Sequence, residues 1–328
     1  MCANNVSFVR KTTKSSDLYQ ILKDFELDWR VVRVPVISEP EIGTFGNISF
    51  SENIGIVREN NQYPLSVMGD NYLEIQNWDA LKIFEPLVES KEITIQEGGY
   101  FKFGKRAWVS AKLREITIEK FRISNNIMLV WSHNGDVALA LIPDSRLLVP
   151  DLKEPIYLVS YLPGPPEMFG QFTVKHTKYA TKRMERAYPK AIEFLKKIGT
   201  FYTGLDNSPF KLNEMEKLLE YLYPNPEKKR IRKDGTVIVS YNEKKRNAIL
   251  AICEDFKKNQ LFSDNKFLYA TAFNYYYDYK SRVRITQDTI EEEQRLMSTW
   301  FGTAYKEKVR FLKNISNYEK MVVQGEIK

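Results

Sequence analysis

At 328 residues, 43% of them hydrophobic, the chain can fill a substantial core and reads as folded rather than disordered. Only Cys2, Cys253 and two histidines are available, which excludes a disulfide framework, a CxxC metal site and a His-rich metal cage. Lys and Arg number 49 against 42 Asp and Glu, a net charge of +7 with a pI near 9.0, which leans toward polyanionic partners.

In chain order, a β-rich front precedes a helical back. SSDLYQILKDF (15–25) has a serine N-cap and helical apolar spacing, and WRVVRVPVI (29–37) alternates as a strand. Short strand-like pieces continue through ISF, IGIVRE and YPLSVM to a turn at Gly69-Asp70. NWDALKIFEPLVES (77–90) reads as a helix capped by Asn77 and bent at its end by Pro86. EITIQE, the YFKFGKRAWVSAKL hairpin, and IMLVWSH paired with VALALI follow as strands. Asn134-Gly135 between the last two predicts a type I′ turn, with φ above zero at both positions.

LVPDLKEPIYLVSYLPGPPEMFG (148–170) reads as a Pro- and Gly-rich surface loop. KYATKRMERAYPKAIEFLKKIG (178–199) has helical spacing interrupted at Pro189, and everything from about 211 onward is helical, with PNPEKKRIRKDGT (224–236) as a linker. The expected fold class is α+β, an antiparallel sheet with hairpins packed by helices, followed by a mostly helical C-terminal region. The expected divisions are an α+β core over 1–200, a helix and basic linker over 201–236, and a helical region over 237–328. No apolar run reaches the roughly 20 residues needed to span a bilayer. The N-terminal MCANNVSFVRKTTKSSD lacks a signal-peptide core, so a cytoplasmic protein without membrane association is expected.

The order YPLSVMGDNYLEIQNWDALKIFEPLVES, GGYFKFGKRAWVSAKL, LVWSHNGDVALALIPDSRLLV, FTVKHTKYATKRMERA and TAFNYYYDYK before LMSTWFGTAYKEKVRFL resembles the phage/plasmid-like protein family, which includes the YafZ-type prophage proteins. The resemblance runs from about residue 20 to 315 and implies carriage by phages, prophages or plasmids, with no catalytic residues to transfer. After the hairpin the chain departs from the family pattern, with VPDLKEP where members continue with a Cys-Gln-Asn-Thr-like stretch.

The chemistry must therefore come from the residues. GxxxxGK[ST] and a strand-linked GxGxxG are absent, so no nucleotide cofactor is expected. His133 with Asp136, Asp144 and Asp151 is an arrangement from which a metal-dependent nuclease could be drawn, but His133 and Asp136 flank a turn and read first as groups satisfying local backbone. His176 reads as a capping or phosphate-facing residue rather than a general base. No catalytic residue, metal or cofactor is expected.

Basic clusters carry more. Lys102, Lys105, Arg106, Lys112 and Arg114 surround Tyr100, Phe101, Phe103 and Trp108 in one hairpin, pairing cations for phosphate with flat rings for unstacked bases. The competing reading puts those aromatics in the core. The next helix adds Lys178, Lys182, Arg183, Arg186, Lys190, Lys196 and Lys197, with Met184, Ala187, Ala191, Phe194 and Ile198 on the side expected to dock on the sheet. In FNYYYDYKSRVRI (273–285), Phe273, Tyr276 and Tyr277 share a helical face with Lys280 and read as helix packing.

The order of elements is also similar to that of single-strand annealing recombinases, an analogy of topology alone. The expected function is a non-enzymatic, single-stranded DNA-binding protein of phage or plasmid type, with strand annealing in recombination as the further activity and a homo-oligomeric ring or filament as its form. The alternatives are a phage- or plasmid-encoded interaction protein that counters a host defence or restriction factor, and a nuclease using Asp136 or Asp144.

Overall fold

The computed structural model describes residues 7–38, 48–118, 121–137, 139–150, 152–158, 172–174, 180–226, 230–231, 237–238, 240–285 and 289–327. The PGPP segment and most of the basic linker fall outside them. Helix α1 (Leu18–Asp24) begins at Asp17, whose carboxylate accepts from the Gln20 N–H at 2.7 Å, so aspartate rather than serine caps it. Strands β2 (Val31–Ser38), β3 (Ile48–Arg58) and β4 (Pro64–Gly69) make a small antiparallel sheet in that order.

The predicted helix over 77–90 is broken into α2 (Asn77–Leu81), a 3₁₀ turn and α3 (Glu85–Glu89). Pro86 lacks an N–H and its ring crowds the carbonyl four residues back, which prevents one continuous α-helix. Gln76 holds the N-cap position, and the Asn77 side chain instead donates to the carbonyls of Leu27 (3.0 Å) and Trp29 (3.2 Å).

The main sheet is antiparallel and joins β1 (Val9–Thr12), β5 (Thr94–Phe101), β6 (Arg106–Ile118), β7 (Phe121–Ser132) and β8 (Leu139–Leu148) in that order. The outer edge of β8 carries β10 (Phe172–Val174) along its first residues and β9 (Ile156–Leu158) along its last. The run IMLVW in β7 is apolar at successive positions because both faces of the sheet are covered.

Ala107, Val109, Ala111, Ile127, Leu129, Trp131, Leu139 and Leu141 face a core shared with α1, α2, the small sheet and the start of α4 (Ala180–Asp206). Phe101, Trp108, Met128, Val130, Ala140 and Ile142 face the opposite way, onto Leu296 and Trp300 of α8 (Glu291–Phe301).

Helix α4 runs unbroken through Pro189, which is exposed, because Met184, Tyr188 and Ala191 anchor the helix to the sheet on both sides of it. It crosses residue 200, and its second half shares a core with Ile118, Phe121, Ile123 and Leu147 of the sheet. That core also holds α5 (Leu212–Leu222), α6 (Tyr241–Lys258), α7 (Lys266–Tyr275) and α9 (Thr303–Ser316), with α10 (Tyr318–Val323) packed at its end. Front and back of the chain thus meet in continuous apolar contact rather than across a bare linker. The basic segment forms the short pair β11 (Arg230–Ile231) and β12 (Val237–Ile238). Helix α7 is buried all round and continues as a π-helical turn over Tyr276–Lys280, where Tyr276 and Tyr277 are buried; Phe273 stacks on Phe311 at 3.9 Å. The aromatic stripe is therefore packing, as its spacing predicts.

An ionic network fastens this helical layer to the sheet. On the face turned toward α8, Glu97 bonds Arg10 at 3.2 Å and pairs with Arg146, and Arg146 Nε donates to Asp144 at 2.7 Å. Arg10 also reaches the Tyr157 hydroxyl at 3.2 Å. The Tyr157 main chain links the sheet to the helices, its N–H donating to Asp278 at 3.0 Å and its carbonyl accepting from Lys308 Nζ at 2.9 Å. Lys308 and Asp278 form a fully buried pair, and Thr299 donates to the same carboxylate at 3.2 Å.

Burial pushes the Asp278 pKa up and the Lys308 pKa down, each opposed by the other's charge. For Glu97 burial also raises the pKa, but the Arg146 and Arg10 guanidinium groups outweigh it and hold the carboxyl below its ordinary 4.5.

Two consequences are measurable by urea unfolding. Lys308→Met strands a buried carboxylate and is expected to cost about 3–5 kcal/mol. Adding Asp278→Asn should recover most of that loss, and a double variant no more stable than the single would show that the stranded charge is not its source. Because the Glu97 pKa is depressed in the folded state, its contribution is full above the ordinary 4.5 and is lost as pH falls through the folded value. Glu97→Gln should therefore destabilise strongly at about pH 7 and progressively less toward about pH 3. A penalty that stays constant over that range contradicts the depressed pKa.

Candidate nucleic-acid interface

The SHNGD segment is a loop, but not a two-residue type I′ turn. Of Asn134 and Gly135, only Gly135 has positive φ, at 71°. Among the described residues, the pairing of β7 with β8 runs as far as Val130 and Ala140. The Ser132 hydroxyl then closes the wider loop, donating to the Val137 carbonyl at 2.7 Å and accepting from its N–H at 3.2 Å. The reason is that His133 is committed elsewhere: its N–H donates to the Lys105 carbonyl at 2.8 Å and its carbonyl accepts from the Ser66 hydroxyl at 2.9 Å.

The His133 ring is fully buried, with Nε2 3.0 Å from Asn77 Oδ1 and its plane against the edge of Trp29. Trp131 Nε1 donates to the same Asn77 oxygen at 2.9 Å. His133 is thus neither an exposed catalytic tip nor a local turn residue, but part of a clasp joining β7, α2 and the β5–β6 turn. Asp136 pairs with Arg106 at 3.0 Å and Asp144 with Arg146. Among the described residues no three of His, Cys, Asp and Glu gather as a metal site.

The GKR hairpin is corrected in its chemistry. Trp108 is fully buried between Phe101 (6.1 Å) and Trp300 (4.9 Å), so no base can stack on it without opening the core. Strand alternation puts Arg106 on that same face, where its side chain is 8% exposed, paired with Asp136 and 4.8 Å from the Phe301 ring. Lys112 follows on this face too and pairs with Glu115 at 2.6 Å. Lys102 and Lys105 are half-buried at the turn itself.

That turn holds Lys102, Phe103 and Gly104 at positive φ (50°, 62° and 98°). It is secured by the buried Glu293 of α8, which accepts the Lys102 N–H at 2.7 Å, and by Phe103 stacking on Tyr63 at 4.9 Å. Sequence reasoning missed Glu293, which lies 191 residues from its partner.

Helix α4 fits the expected interface better. At about 100° per residue, Lys182, Arg183, Arg186, Lys190 and Lys197 share one sector about 100° wide, and the apolar Met184, Ala187, Ala191, Phe194 and Ile198 share a neighbouring one whose centre lies roughly 105° further round the helix. Lys182, Arg183, Arg186 and Lys190 are all exposed, and among the described residues none of them forms an ion pair. Glu193 is paired with Lys197 at 2.7 Å, which leaves Glu185 as the exposed acid beside the stripe. Lys182 to Lys190 spans about 12 Å along the axis. Lys178 and His176 lie outside the described residues.

The sheet separates the two clusters, because α4 packs on one face while Arg106 and Lys112 project from the other. Arg106 and Lys112 therefore do not form one continuous surface with Lys182, Arg183 and Arg186. No helix among the described residues is long and apolar enough to cross a membrane.

Residues 64–144 match the model of a domain of unknown function, DUF932. The matched segment runs from β4 into β8 and contains the Asn77–His133 clasp, the positive-φ turn and Glu97; α4 lies beyond it. No curated protein and no solved structure matches the chain.

Proposed function

We propose that this chain is a non-enzymatic DNA-binding protein that holds a phosphate backbone along the outer face of α4. The observation that carries the reading is the exposed stripe Lys182–Arg183–Arg186–Lys190, unpaired among the described residues and set on a helix anchored in the core by Met184, Tyr188 and Ala191. Its four cations, spread over about 12 Å, can face successive phosphates of one strand. Single-strand binding and strand annealing by a homo-oligomer belong to the same proposal. They rest on the resemblance of the motif order to phage/plasmid-like proteins of the YafZ type and on an analogy of element order with annealing recombinases, and no longer on Trp108.

A second reading has its own observation. Strand β4 is an edge of the small sheet, and Val67 on it is 61% exposed with Leu73 nearby at 43%. Such an edge suits a protein partner, as an interaction protein directed at a host factor would require.

Fluorescence anisotropy with labelled single- and double-stranded oligonucleotides over a salt series separates the two. For the DNA reading, log affinity falls steeply with log salt, and Arg183→Gln with Arg186→Gln lowers the slope by about one for each phosphate no longer neutralised, equally for different base sequences. A double variant with unchanged affinity and slope would move the choice to the partner-protein reading.

A further inference from the structure

Beneath the flank of α4 lies a cavity of about 170 Å³ lined by Leu113, Arg114, Asn125, Tyr188, Ile192 and Leu195, with Glu92 and Lys196 at its rim. Asn125 is fully buried; its Oδ1 accepts from the Ser145 hydroxyl at 2.8 Å, and its Nδ2 has no partner. The hydroxyl of Tyr188, a residue only 7% exposed, is also buried without a partner. A buried donor left unpaired is costly. Both residues line the cavity, where an occupant with hydrogen-bond acceptors would satisfy them.

The backbone assembles the mouth of this cavity. Lys112 pairs with Asn126 and Arg114 with Asn125, so Leu113 is an extra residue in β6, a β-bulge. Without it, alternation would send Arg114 to the opposite face with Lys112. With it, Arg114 stands beside Asn125 on the α4 side. Arg114 and Lys196 are both exposed, and among the described residues neither forms an ion pair.

Two apolar walls, hydrogen-bonding groups at depth and cations outside describe a heteroaromatic ring with an anionic attachment. The volume is well below the roughly 300–1,000 Å³ of pockets for whole drug-sized ligands, so the ring enters and the charged part stays at the rim. We infer that the cavity takes one unstacked nucleobase of a bound strand, its edge read by Asn125 and Tyr188 and its phosphate held by Arg114 and Lys196. The inference rests on the nucleic-acid reading of α4 and supplies the base contact that Trp108 cannot make. Lys196 lies on the helix flank between the pocket and the basic stripe, so one strand can reach both. Burial and the Glu92 carboxylate push the Tyr188 hydroxyl up to about 12, which keeps it a neutral donor. Glu92 supplies an acceptor at the rim.

The test compares a short homopolymeric single strand with a strand of abasic sites of equal length, by anisotropy at fixed salt. The base-bearing strand should bind about tenfold tighter or more, in the range of one buried base contact. Tyr188→Phe should narrow that gap, and Ile192→Trp, which fills the cavity, should close it while the part of the salt slope due to the α4 stripe remains. Equal affinity of the wild-type protein for both strands, with a steep salt slope, would mean that the cavity holds only water; the phosphate reading of α4 would then stand without it. Binding of neither strand would remove the phosphate reading and the pocket with it.

Discussion

The central antiparallel sheet is covered on both faces, and the two-residue period of its strands sends neighbouring side chains into different cores. Ala107 and Val109 go to the α4 side, while Arg106 and Trp108 go to the α8 side. This constraint leaves the described strands of β5 to β8 no open face for a ligand to lie across, so the proposed DNA contact falls on the outer surface and flank of α4. The bulge at Leu113 lets Arg114 join the α4 side. One inserted residue thereby builds the mouth of a cavity that strict alternation would have left without its guanidinium.

The same sheet carries charge into the interior. Arg10, Glu97, Asp144 and Arg146 are joined to Asp278 and Lys308 through Tyr157, whose hydroxyl takes Arg10 and whose main chain takes Asp278 and Lys308. A buried ionic cluster contributes little net stability compared with well-packed apolar groups, yet losing one member is severe. Its effect here is geometric, since Asp278 and Lys308 reach the Tyr157 main chain only when α9 and the π-helical turn sit in one position on the sheet. The clasp of Asn77 with His133 and Trp131 does the same for the opposite face.

Much of the fold was legible. The strand runs, the basic helix with its apolar side and the aromatic stripe at Phe273, Tyr276 and Tyr277 all follow from periodicity, because period reports which side is buried. The errors lie where a local signal met a distant partner. Asn134-Gly135 has the residues of a type I′ turn, but the backbone of His133 bonds Lys105 and Ser66 and forces a wider loop. Trp108 beside lysines resembles a stacking platform, although AWVSA facing IMLVW already indicates a strand covered twice. The ionic network left no trace in spacing, since Arg146 and Glu97 or Lys308 and Asp278 become neighbours only after folding. Asn125-Asn126, a polar pair inside an apolar strand, was the one local sign of the cavity.

The central claim, that the α4 side of the molecule meets nucleic acid and the α8 side is structural interior, is tested most directly by photo-crosslinking. A single strand carrying 4-thiothymidine would be irradiated with the protein and the adducts mapped by mass spectrometry. Adducts are expected within residues 180–198 and at the neighbouring Arg114 segment. Adducts concentrated at residues 102–112 or along α8, with none on α4, would contradict the claim.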